Sequence, residues 1–290
     1  MERRQHTQSE RSFRAPLDRA WLRGVLLGLA ILSCAWLGIS LSGIAVDDRG
    51  GASGALTTAV SPLACAGALA LLLVVSTAIA CGIGRLVNAI VGLFVLGTAV
   101  TAFAMQTGTA QAAIFDGANL ASIGVETLAW TIPIALLVTC VFRVSGPLPD
   151  VPLRGEAGLW REYFDIDALK ASLVGALIPV VAWFVVRTMM KGQAIGGVFV
   201  GGVAAGMAFR LVAPRVQPVV IFVSPILLMG AYQWFVASRL TASPSVLLAL
   251  GSLPPELRVM PLDTVAGTLT GVAIGIGWAR SFKKTDTIAS

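Results

Sequence analysis

A single histidine, His6, occurs in 290 residues, and only 12 % of the chain is charged, about half the usual fraction. With His6 in a polar tail, the apolar runs hold no histidine for a Ser–His nucleophile pair or for a His/Cys zinc or haem site. Cys34, Cys65, Cys81 and Cys140 all lie inside apolar runs and none forms a CxxC pair. They read as small packing residues. No aspartate falls within an apolar run as these are bounded below, which leaves no facing carboxylate pair for aspartyl chemistry. Ser172 and Lys170 stand two apart on a helix and point away from each other. No Walker A, GxGxxG or metal-ligand cluster is present. The chain is therefore expected to be no enzyme and to carry no cofactor and no metal.

Apolar residues, by contrast, make up 56 % of the chain. A soluble fold of this length would lack the charge to cover its surface, so lipid must face much of it. The fold expected is an all-α, polytopic transmembrane helical bundle of eight spans. The runs are Gly24–Val46, Leu56–Cys81, Leu86–Gln106, Gly124–Phe142, Ala171–Met190, Ala194–Ala213, Val219–Ala237 and Thr264–Ala279. The last is the weakest, being short and rich in glycine. Gly82-Ile83-Gly84-Arg85 reads as the tight turn between the second and third runs. Val246–Leu250 is too short to span and reads as interfacial or re-entrant. The first run exceeds the apolar core of a signal peptide, about 7–15 residues, and reads as an uncleaved anchor. Ile31-Leu32-Ser33-Cys34 faintly suggests a lipoprotein box, but the apolar stretch continues past it.

The domains expected are a basic tail (1–23), a first four-helix half (24–143), a loop (144–170), a second four-helix half (171–280) and a C-terminal tail (281–290). Asp165 or Asp167 would cap the helix leaving the loop. Eight spans with both termini cytoplasmic put 16 of the 21 Lys and Arg residues inside and leave Arg49, Arg187, Lys191, Arg239 and Arg258 outside. That bias is the positive-inside pattern. The net charge of +6 thus sits at span ends, which excludes a single nucleic-acid-binding face. Seventeen Arg against four Lys, with abundant Ala, Gly and Val, suggests a GC-rich bacterial genome and hence an inner membrane.

Two patterns stand out in the second half. Trp183-Phe184-Val185 precedes Arg187, and Trp234-Phe235-Val236 precedes Arg239. The next helices carry Gly202-Val203-Ala204-Ala205-Gly206 before Arg210 and Gly271-Val272-Ala273-Ile274-Gly275 before Arg280. This is the pattern of a duplicated helical hairpin. Spacing of four also places Gly197 with Gly201, Gly202 with Gly206, and Gly267 with Gly271 and Gly275 on helix faces where another helix can approach closely. The approaching helix belongs to this chain, to another subunit, or to a second copy.

Intramembrane polar groups are few. Glu126, near the end of the fourth run, is the ionisable residue expected to matter, meeting Arg187, Arg239 or a cation. Gln233 and Asn88 complete a candidate polar site, with Gln106, Ser224 and the threonines of the last run as further hydrogen-bonding groups. Arg143, Arg187 and Arg210 read as interface anchors. Pro133, Pro179 and Pro225 free backbone carbonyls mid-helix. The functional expectation is a non-catalytic membrane component or complex subunit, packing through glycine-rich helices in contact with the bilayer, with other subunits or with itself. The alternative is a small-solute transporter or channel.

Overall fold

The computed structural model describes residues 20–47, 50–151 and 166–283. Arg49, Asp165, most of the 144–170 loop and nearly all of both tails lie outside the described residues.

Eight helices are long and apolar enough to cross a membrane. They are α1 (Ala20–Ser42), α2 (Pro62–Leu86), α3 (Ala89–Gln106), α4 (Leu120–Ser145), α5 (Ile166–Val185), α6 (Lys191–Val212), α7 (Val220–Ser238) and α8 (Pro261–Lys283). The chain is an all-α, multi-pass membrane bundle. Helix α1 begins and α8 finishes at one end of the bundle, called here the terminal end. The opposite end is the far end.

The turn between α2 and α3 lies at Val87–Asn88, not at Gly82–Arg85. Asn88 ends one helix and starts the next by accepting the Val91 N–H at 3.0 Å. A Cβ at Gly82 meets nothing within 4 Å. Gly84 serves packing instead, since a Cβ there would meet Ser145, as one at Gly92 of α3 would strike the Ala80 carbonyl. Close backbone approach, not chain reversal, is what they supply.

Each proline explains a break. Pro133 offers no N–H to Ala129, and α4 is interrupted at Trp130, between Leu120–Ala129 and Thr131–Ser145. Pro179 offers none to Gly175, and α5 tightens into a 3-10 turn at Leu173–Ala176. Pro225 follows a 3-10 turn at Val220–Phe222 that opens α7.

The centre of the bundle is α8, the least apolar span, with 83 % of its window buried. It packs along α6 and α3 and touches α4 and α7. A helix surrounded by protein needs no lipid-facing side chains, so glycine and threonine are tolerated there. The first helix is the opposite case, with 17 % of its window buried. It packs only by one side, on α3 and α2.

Gly202 and Gly206 of α6 face α8, where a Cβ would come 3.0 Å from the Gly267 carbonyl and 2.5 Å from that of Val272. From the other side, Gly271 and Gly275 face the carbonyls of Phe199 and Val203. Gly197 and Gly201 point elsewhere, onto Val186 and Ile178 of the α5 segment. Helix α6 thus has two glycine faces, and both are occupied within the chain.

At the far end, loops gather an apolar cluster of Ala55, Ala113, Ile114, Leu253 and Met260 among others, joined by Ile123 of α4. The short helix Pro244–Ala249 lays Leu247 and Leu248 against it. It neither spans nor buries any residue fully.

Candidate functional site

The candidate site begins at Glu126, in the Leu120–Ala129 part of α4, where it is 7 % exposed. Among the described residues its carboxylate is salt-bridged to neither Arg187 nor Arg239. It accepts the Leu56 N–H at 2.8 Å, the Thr57 N–H at 3.0 Å and the Thr57 hydroxyl at 2.9 Å. Leu56–Thr58 forms a 3-10 turn whose first amides have no internal acceptor, so a carboxylate satisfies them. Glu126 therefore pins the first far-end loop to α4.

The neighbouring Thr127 hydroxyl donates to Gln233 of α7 at 2.8 Å. The Gln233 amide nitrogen donates in turn to the carbonyls of Glu256 (3.0 Å) and Val259 (2.8 Å). Close approach makes this reach possible: Gly124 lies against the Trp234 backbone and Gly230 against that of Leu128. Gln233 thus ties α4 and α7 to the strand of chain that enters α8.

That chain begins α8 with Pro261 at the first helical position, and Asp263 reaches back to the Met260 N–H at 3.1 Å. This is capping-box geometry with aspartate at the third position. The other carboxylate oxygen lies 2.8 Å from Lys191 Nζ, at the start of α6. Lys191 also donates to the Gly108 carbonyl at 2.8 Å. Glu126, Thr127, Gln233, Asp263 and Lys191 form one buried polar layer across the far end.

Sequence reasoning brings Glu126 and Gln233 to this layer but misses the Lys191–Asp263 pair. It bounds the last run at Thr264 and so leaves Asp263 outside the membrane, whereas the span begins at Pro261. A usable signal exists: Pro-Leu-Asp before an apolar run is a helix-start pattern. Asn88 does not join the site. It caps α3 at the terminal end.

A second charged cluster occupies the terminal end. Arg210, 1 % exposed, is ion-paired to Asp150 and donates to the Pro214 carbonyl at 3.0 Å. Arg280 Nε lies 3.4 Å from the same carboxylate. Arg210 is thus a buried tie and not the headgroup anchor its position near a helix end suggests. Asp150 bridges the two arginines that follow the matching glycine segments of α6 and α8. Nearby, Gln217 accepts the Leu148 N–H and donates to the Val151 carbonyl, holding the Asp150 segment in place.

Chemically, the far-end layer binds and positions. Among the described residues no group of three His, Cys, Asp or Glu side chains is placed to hold a metal ion. A polar cleft of about 350 Å³ lined by Thr57, Thr58, Asp116, Asn119 and Ser122 opens beside Glu126. Ser224 and Ser172 add a cross-helix tie between α7 and α5, at 2.9 Å. No protein-family model, curated protein or solved structure matches this chain.

Proposed function

We propose that the chain is a non-catalytic component of a membrane assembly, held in a bacterial inner membrane with both termini cytoplasmic. The observation that carries this reading is how the buried charges are used. Glu126 is held by Leu56 and Thr57, Lys191 by Asp263 and Gly108, and Arg210 by Asp150 and Pro214. All three sets lie at bundle ends and tie elements together. Between them the interior is glycine-to-backbone packing of α6 on α8. These features describe a rigid frame.

Because the glycine faces of α6 and α8 are filled within the chain, partner contact falls to another surface. Helix α1 supplies one. Val25, Leu29, Leu32, Trp36 and Ile39 repeat at spacings of four and three along an exposed face, with Trp36 70 % exposed. That repeat is the seam by which helices pack side by side. Extraction into native lipid discs followed by mass spectrometry tests the reading. Protein partners at fixed stoichiometry, photo-cross-linked from position 36, are expected. A chain that always emerges alone would sink it.

One observation favours a transporter instead. An ion pair inside a membrane span is costly and commonly marks a translocation path, and Lys191–Asp263 stands at the far-end limit of two spans. On that reading, solute flux in proteoliposomes is lost in both Asp263→Asn and Glu126→Gln. Flux that survives both changes removes the transporter reading.

A further inference from the structure

The Trp183-Phe184-Val185 segment that precedes Arg187 has no part in the polar layer, and it borders a different feature. Between α5 and α7 a groove of about 550 Å³ opens on the side of the bundle, in its far-end half. Ala176, Pro179, Val180, Trp183, Phe184, Leu228 and Tyr232 line it, and its walls are almost wholly apolar. The 3-10 turn forced by Pro179 shapes one wall. The turn Pro255–Arg258 packs on both helices and closes the far end of the groove.

Arginines collect at that closed end. The Arg187 guanidinium lies 5.9 Å over the Trp183 ring, which is itself a wall of the groove. Arg258 donates to the Arg187 carbonyl and holds the Leu253 carbonyl at 2.6 Å. On α7, Leu228, Tyr232 and Arg239 are spaced by four and seven along one face, and Arg239 stacks on Phe235 at 5.2 Å. Among the described residues, neither Arg187 nor Arg258 is salt-bridged to a carboxylate. Burial first and the Arg187 charge second disfavour the charged form of Arg258, with Glu256 opposing them. Glu256 is buried under the turn, beside Tyr232. Arg187 and Arg258 feel each other's charge and make this end of the groove cationic, the setting in which guanidinium groups take up an anion.

We propose that this groove binds one phospholipid of the far-end leaflet, its acyl chain lying between α5 and α7 and its phosphate held by Arg187 and Arg258. The apolar walls and cationic rim match the two ends of a phospholipid, and the groove opens where acyl chains are the solvent. The aromatic–arginine pairs place ring and charge at the depth where headgroup meets hydrocarbon. Positive-inside orientation makes this the extracytoplasmic leaflet.

The test is native mass spectrometry of the full chain in detergent, titrated with a phosphatidylglycerol carrying C16 and C18 chains. One retained lipid per chain is expected, with affinity lowered about tenfold by Arg187→Gln, in line with the loss of one charge-assisted contact. Ala176→Trp, which fills the groove, should abolish retention, and Arg215→Gln at the other end should leave it unchanged. Inorganic phosphate at millimolar concentration should not displace the lipid. Displacement would show a free-anion site and overturn the acyl-chain assignment. On the unmodified chain, a diazirine placed mid-chain in the same lipid should label the 176–184 and 228–232 peptides. Labelling elsewhere, or retention indifferent to both Arg187→Gln and Ala176→Trp, overturns the proposal.

Discussion

Removing Lys191 leaves the Asp263 carboxylate buried beside one backbone amide and little else. Lys191→Met is therefore expected to destabilise the bundle by roughly 3–5 kcal/mol, the usual loss when a buried pair is broken from one side. Lys191→Met combined with Asp263→Leu removes both charges and should recover a large part of that loss. Thermal unfolding in detergent of the two single variants and the double variant measures the coupling directly. If the double variant is as unstable as the sum of the singles, the pair is not an ion pair in solution. Gln233 invites a comparable experiment with a different readout. Gln233→Leu strips a partner from Thr127, Glu256 and Val259 together, at about 1–3 kcal/mol for the groups left unsatisfied. Faster proteolysis of the 253–260 segment, which the amide holds to α7, would report it. Both effects belong to single side chains whose partners are distant in sequence, which is why neither shows in the sequence pattern.

Among the elements, α8 and α1 are opposites in environment though similar in length. A spin label at Val272 on α8 should be shielded from oxygen dissolved in lipid, and one at Trp36 on α1 should be fully accessible. Equal accessibility would contradict the central placement of α8. Glycine carries the contact between α6 and α8. Gly271→Leu would drive a side chain into the Phe199 carbonyl, and overpacking of that kind costs about 1–3 kcal/mol or more. Gly192→Leu on α6 is expected to be harmless, since a Cβ there meets nothing within 4 Å. Comparing Gly271→Leu with Gly192→Leu by detergent melting separates helix contact from helix propensity. Spacing of four in the sequence points to these faces, but not to which helix fills each. Gly197 and Gly201 share the α6 helix with Gly202 and Gly206, yet they serve α5 and not α8.

For the molecule as a whole, an even number of crossings requires that both ends lie on one side of the membrane. Reporter fusions at the two termini should agree, and on the proposed orientation both should report the cytoplasm. Disagreement between the fusions would mean that one of the eight helices does not cross. Both ends of the bundle are closed by charge. Lys191–Asp263 joins the start of α6 to the start of α8, and Asp150 gathers Arg210 and Arg280 near the other ends of the same two helices. The central pair is therefore held at each end by ions and between them by glycine packing. The Gly202–Gly206 and Gly271–Gly275 segments meet in space along this pair.

The amino-acid sequence by itself determined the class of the protein, the number of spans and their approximate limits. The reason is that burying about 20 apolar residues in hydrocarbon is a local property of the chain. It also marked Glu126 and Gln233 as buried polar residues, because polar groups inside apolar runs are visible without knowing their partners. Tertiary structure alone decided the partners. Glu126 holds amides seventy residues away, Asp263 finds Lys191, and Arg210 finds Asp150. It also decided that the least apolar helix is the central one, since hydropathy measures fitness for lipid and says nothing of a helix enclosed by other helices. Which surface a side chain meets is fixed by how helices cross, and that depends on residues scattered through the chain.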